Sequence, residues 1–211
     1  MSIYHIHYDL LSVDHPYNRC DIRQLQPPLD QATYLMKLLP QTMWGILYIE
    51  VNGKMLFQRH WRCRRKEPFD QLPSAGFTCE LLEFARVLGS NFEDILSGQR
   101  GSRPVEFIGY DVRLWFRRYG LTVQLHFDER PVFSNIFEWQ PIPIEVFVNE
   151  THGFLTSIWQ DVARLNPGLE SDPLIQEQIV AANRIKERFE QGEFGEEIYV
   201  EESLAFQAAR R

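Results

Sequence analysis

Trp44-Gly-Ile-Leu-Tyr-Ile-Glu-Val51, followed by Asn52-Gly53 and then Lys54 to Trp61, is the stretch on which the fold turns. The first eight residues are rich in β-branched and aromatic side chains. Asn-Gly supplies two residues that tolerate positive φ, as a two-residue type I′ turn requires, so Lys54 to Trp61 reads as a returning strand. A hairpin at this point argues for antiparallel sheet.

Working outward, Ile3 to Leu10 alternates, with Tyr4, Ile6, Tyr8 and Leu10 on one face and Ile3, His5, His7 and Asp9 on the other, the pattern of a half-buried strand. His15 to Pro28, broken by Pro16, Pro27 and Pro28, reads as an irregular connection. Beyond the hairpin, Thr78 is placed to cap a helix through Leu81, Leu82, Phe84, Ala85 and Leu88. Ser90-Asn-Phe-Glu93 then matches a capping box that would open a second short helix to Leu96. After a loop from Gly98 to Pro104, Val105 to Ile108 and Val112 to Phe127 read as more antiparallel sheet turning at Tyr119-Gly120. Val112, Leu114 and Phe116 would face inward, with Arg113, Trp115 and Arg117 outward.

Ile144 to Val148 reads as a short strand, and Asn149 or Thr151 as the cap of a helix with the stripe Phe154, Leu155, Ile158, Trp159, Val162 and Leu165. Asn166-Pro-Gly168 ends it. Ser171 or Asp172 caps a last helix, with Pro173 at the position where a missing N–H costs nothing, and its stripe is Ile175, Ile179, Ala182, Ile185 and Phe189. The order predicts an α+β fold, an antiparallel sheet built from hairpins with helices packed on one face. Residues 1–192 are read as a single α+β domain, and 193–211 as an acidic C-terminal tail or an appended strand around Glu197 to Val200.

The chain has 211 residues, 44% hydrophobic and 24% charged, which excludes disordered and fibrous classes. No apolar run reaches the ~18 residues of a membrane span, and the N-terminus lacks the order of a signal peptide, so no membrane role and a cytoplasmic location are expected. Cys20, Cys63 and Cys79 match neither a disulfide framework nor a metal knuckle. There are 22 basic against 29 acidic residues, a net charge of -7, which disfavours nonspecific nucleic-acid binding by the molecule as a whole.

His5 and His7 leave one face of their strand, and His126 is read as outward on its own, but no carboxylate stands at a fixed spacing and no metal site is assigned. No nucleophile elbow, phosphate loop or dinucleotide fingerprint occurs, so no catalytic residue and no cofactor are assigned, and the reading leans away from an enzyme. The segment Arg59-His-Trp-Arg-Cys-Arg-Arg-Lys66 holds five basic residues with no acid. Its guanidinium groups suit carboxylates or phosphates and its Trp suits an interface anchor, so Arg59, Trp61, Arg62, Arg64, Arg65 and Lys66 are the candidate partner-binding residues. Arg113, Arg117 and Arg118 around Trp115 form a second basic trio. At the opposite pole Glu187, Glu190, Glu193, Glu196, Glu197, Glu201 and Glu202 face only Arg188, a strip able to dock a basic partner or mask the Arg segment.

The run Trp44 to Leu56, the helix Glu80-Leu-Leu-Glu-Phe-Ala-Arg-Val-Leu88, the hairpin at Tyr119-Gly120 and the ending Val146 to Leu165 together resemble small bacterial immunity proteins of polymorphic or contact-dependent toxin systems. The resemblance spans residues 44 to 165 and is one of pattern. It implies a non-enzymatic, antitoxin-like module that neutralises a partner protein, its cognate toxin. The alternative is a nucleic-acid-associated protein in a phage-defence or DNA-processing context that uses the Arg59 to Lys66 segment.

Overall fold

The structure is a computed structural model that describes residues 4–56, 76–98, 103–106, 112–129 and 137–195. Strand β1 (Tyr4–Leu10) pairs antiparallel with β2 (Trp44–Val51), with Tyr4 opposite Val51 and Leu10 opposite Gly45. The tight turn is as expected: Asn52 and Gly53 both have positive φ, 54° and 78°, and β3 (Lys54–Met55) returns along β2. The rest of the expected returning strand, from 57 to Trp61, lies outside the described residues. Further along the same edge, β2 pairs with β4 (Phe77–Glu80). The alternation in β1 holds, since Tyr4 and Ile6 are buried and His5 and His7 exposed.

The α+β class is as expected, but the strands form two antiparallel sheets rather than one. The second sheet has the order β5 (Arg103–Glu106), β6 (Val112–Tyr119), β7 (Thr122–Glu129) and β8 (Phe137–Pro143). Gly120 alone of the two residues between β6 and β7 has positive φ, at 56°, as a type II′ turn requires. Leu114, Phe116, Val123, Leu125 and Phe127 form the inner face.

Four helices are present among the described residues. Helix α1 covers residues 31–41, α2 is Leu81–Ser97, α3 is Ile144–Leu165 and α4 is Pro173–Glu190. Three boundaries correct the sequence reading. Thr78 lies in β4, and Glu80 precedes the first turn of α2. Ser90 opens no new helix; its hydroxyl donates to the Val87 carbonyl, and α2 continues to Gly98, whose φ of 62° closes it. Ile144 to Val148 is the first turn of α3 and not a strand, because Ile144, Phe147 and Val148 fall at i, i+3 and i+4 and are all buried. The α4 cap is as expected: Asp172 accepts from the Leu174 N–H and Pro173 follows it.

Phe147 shows how α3 joins the layers. Its ring lies 5.7 Å from Tyr4 in the first sheet, 5.5 Å from Phe116 in the second and 6.0 Å from Phe92 in α2. One continuous apolar core results. Phe154, Ile158, Trp159 and Val162 belong to it, as their stripe predicts.

Side chains stitch the proline-rich connection to this frame, so that it is fixed without a ladder of its own. Asn166 Nδ2 donates to the carbonyls of Ile22 (2.8 Å) and Leu25 (2.9 Å), and Asp172 accepts from the Leu29 N–H at 2.7 Å. Helix α1 follows. Pro40 cannot donate to the carbonyl of Met36, and the helix widens ahead of it into a π turn over Tyr34–Leu38, with Leu39 N–H bonded to the Tyr34 carbonyl. The Gln41 side chain donates to the Met36 carbonyl instead, at 2.6 Å.

Among the described residues no helix is long and apolar enough to cross a membrane.

Candidate functional site

Arg59, Trp61, Arg62, Arg64, Arg65 and Lys66 lie outside the described residues. The second basic trio does not form one patch. Arg113 is exposed, and Arg117 donates to Gln124 across the β6–β7 pair at 2.7 Å. Arg118 is turned inward and 2% exposed. Its Nε donates to the Gly120 carbonyl at 3.0 Å, and its two terminal nitrogens donate to the carbonyls of Leu96, Phe194 and Gly195. It therefore anchors the residues after α4 to the end of α2 and cannot meet a partner. Burial lowers its pKa from the ordinary arginine value.

The acidic strip is likewise drawn in at its start. Arg188 donates to Glu93 at 2.5 Å and to Glu193 at 2.6 Å, and its guanidinium lies 5.1 Å from the Phe194 ring centroid. Phe194, expected in a tail, is buried.

The histidines diverge. His5 faces Glu150 at 3.2 Å, His7 stacks on Tyr48 with ring centroids 4.8 Å apart, and His126 is buried rather than outward. Among the described residues no group of three His, Cys, Asp or Glu side chains is arranged to hold a metal ion. Burial raises the thiol pKa of Cys20 and, far more, of Cys79, so neither is poised as a thiolate.

The geometry singles out another place. A cleft of about 350 Å³ opens between α1, α2 and α4. Its size falls in the range of small-ligand sites. Small residues on two of the long helices make the room: Ala85 and Gly89 of α2, and Ala181 and Ala182 of α4. Leu155 and Trp159 of α3 reach the same space, so the lining draws on all four helices. Exposed Leu35 and Met36, 42% and 66% accessible, stand on α1, with Leu35 on the cleft wall.

Tyr34 is the unusual member. It is 3% exposed, its ring lies near-parallel to that of Trp159 at 6.4 Å, and its buried hydroxyl has no hydrogen-bond partner among the described residues. Burial is the main cause that pushes its phenol pKa up; Arg86 opposes this, and Glu83, Glu177 and Asp172 add to it. Those side chains are the charged surroundings of the hydroxyl, and two of them, Arg86 and Glu177, line the cleft. An unpaired buried hydroxyl is destabilising, and Tyr4, away from the cleft, carries a second one.

No family model, curated protein or solved structure matches the chain. The cleft escaped the sequence reading because its lining comes from residues 31 to 182 and shares no motif; the local signal was Asp30, three residues before Thr33, whose N–H it caps at 2.6 Å.

Proposed function

We propose that the chain acts by binding another protein, without catalysing a reaction, as an immunity or antitoxin module acts on its cognate toxin in the bacterial cytoplasm. The observation that supports this reading is the exposed pair Leu35 and Met36 on α1, with Leu35 on the wall of a concave cleft of mixed polar and apolar lining. Exposed apolar side chains at the rim of a hollow are what a protein interface buries first. The basic segment Arg59 to Lys66 would add electrostatic steering toward carboxylates on the partner.

The test compares wild type with Leu35→Asp/Met36→Asp and, separately, Arg62→Glu/Arg64→Glu/Arg65→Glu. A protein that co-purifies from the native host is identified, produced, and titrated against all three forms. The expected result is loss of about tenfold or more in affinity for the first variant, with unchanged circular dichroism, and slower association for the second. Equal affinity for all three forms overturns the proposal. Submicromolar duplex binding in a mobility shift, lost in the arginine variant, establishes the nucleic-acid alternative instead.

A further inference from the structure

We infer that a pocket beside the last turn of α3 binds a small aliphatic carboxylate, its chain inside and its carboxylate at the mouth on Arg164. The pocket has a volume of about 240 Å³ and is bounded by the corner after β1, the proline-rich connection, the residues before β2 and the end of α3. Its size suits a ligand smaller than the drug-sized range. It shares no lining residue with the cleft, so the inference goes beyond the protein-binding proposal and stands apart from it.

The class of ligand follows from which lining groups are already engaged. Leu10, Val13, Met43 and Leu165 offer aliphatic or thioether surface. The polar side chains between them already hold internal bonds. Thr42 donates to the Leu38 carbonyl, Asn18 accepts from the Trp44 N–H at 2.9 Å and donates to the Ser12 carbonyl at 2.7 Å, and the Ser12 hydroxyl accepts from the Asp14 N–H at 3.3 Å. An aliphatic chain therefore fits the interior better than a polar body. Arg164 is the one charged residue of the lining among the described residues. Its Nε donates to Asp161 at 2.9 Å, and the same carboxylate accepts from the Tyr8 hydroxyl at 2.8 Å. The two terminal nitrogens of Arg164 have no hydrogen-bond partner among the described residues, and the side chain is 66% accessible, so they are free to turn over the mouth. Lys37 adds to the positive field, acting on the Cys20 thiol of the lining more strongly than Asp21, whose carboxylate is held by Arg23. The C-terminal end of α3 carries partial negative charge that opposes an anion, and Arg164 in that last turn offsets it. A guanidinium over an aliphatic chamber selects a carboxylate with a short apolar chain.

The experiment titrates hexanoate, hexanol and hexylamine, the same chain under different head groups, into the full chain by ligand-observed NMR. In parallel, alkylation of Cys20 by iodoacetamide is followed by mass spectrometry of the peptide that carries it. Cys20 lines the pocket and is partly exposed, so an occupant should shield it. Hexanoate is expected to bind with a Kd on the order of 1 mM and to slow alkylation over the same range. Hexanol should bind about threefold more weakly, and hexylamine more weakly still. Arg164→Gln, at an exposed side chain, should erase the advantage of hexanoate and leave hexanol unaltered. Val13→Trp, at a partly exposed position, should fill the chamber and weaken all of the probes about tenfold. Hexylamine binding as tightly as hexanoate overturns the inference. So does a hexanoate preference that survives Arg164→Gln, hexanoate binding that leaves the alkylation rate unchanged, or no saturable binding. None of these readings depends on a protein partner.

Discussion

Arg118, at the end of β6, and Tyr34, in the π turn of α1, are both polar side chains shut away from water, at 2% and 3% exposure, and their hydrogen bonding is opposite. Every nitrogen of the Arg118 guanidinium donates to a carbonyl, on four residues from three parts of the chain. The Tyr34 hydroxyl has no hydrogen-bond partner among the described residues. A buried group that is fully paired ties elements together and needs nothing from outside. A buried group left unpaired loses stability in the free protein, and that loss is recovered only when something else supplies the bond. The same burial thus makes Arg118 a strut and leaves the Tyr34 hydroxyl a local cost to the fold.

The largest effect expected is at Trp159, the floor under Tyr34. It is 1% exposed, and Trp159→Ala should cost about 3–5 kcal/mol in urea unfolding and leave little soluble protein. A stable, folded variant that had only altered binding would make the tryptophan part of the surface and remove the base of the cleft argument. Arg118→Met comes next. It keeps the apolar stem but strands the carbonyls of Leu96 and Phe194, and should cost about 2–4 kcal/mol. Hydrogen exchange should accelerate at residues 192–195 first. An unchanged unfolding midpoint would break the contrast from the arginine side.

How much of this was readable beforehand differs from element to element for physical reasons. Asn52-Gly53 and Asp172-Pro173 carry their geometry in local chemistry, and both stand where the sequence places them. Ile144-Glu-Val-Phe-Val148 has strand-like composition, and only the packing of Ile144, Phe147 and Val148 against three other elements makes it helix. Propensity lost to tertiary contact there. Arg118 was misplaced by its charge, although the alternation through Leu114 and Phe116 already put position 118 on the inner face. Tyr34 had no readable frame, because Tyr34 and Leu38 share a buried i, i+4 spacing but Pro40 interrupts the helical pattern two residues later, and no element was assigned between Pro28 and Trp44. Of the expected partner-binding residues, the whole Arg59 to Lys66 segment lies outside the described residues, so the candidate site that emerged is a different one.

Gly89→Ala probes the room rather than the bond. The added methyl meets Leu155 at 3.7 and 3.9 Å, ordinary contact, and the residue sits inside α2. Helix propensity alone predicts a gain of about 0.5–1 kcal/mol in thermal unfolding. A gain says that the glycine keeps space open at the expense of stability. A loss of stability would mean that the glycine is needed for close helix packing, and the cleft would then be a by-product of that packing.

The smallest change is expected at Tyr34 itself, and its sign carries the comparison. Tyr34→Phe keeps the ring against Trp159 and deletes only the hydroxyl, which has no partner among the described residues. Removing an unsatisfied buried polar atom should stabilise the free protein by about 0.5 kcal/mol, whereas deleting a hydroxyl that makes a good bond would cost about 1 kcal/mol. Paired urea melts of wild type and variant resolve that difference of sign. Destabilisation would show that the hydroxyl is bonded in the free chain, and Tyr34 would then belong with Arg118 as a strut. Stabilisation would show that the hydroxyl contributes no bond to the free chain, and the contrast with Arg118 would stand.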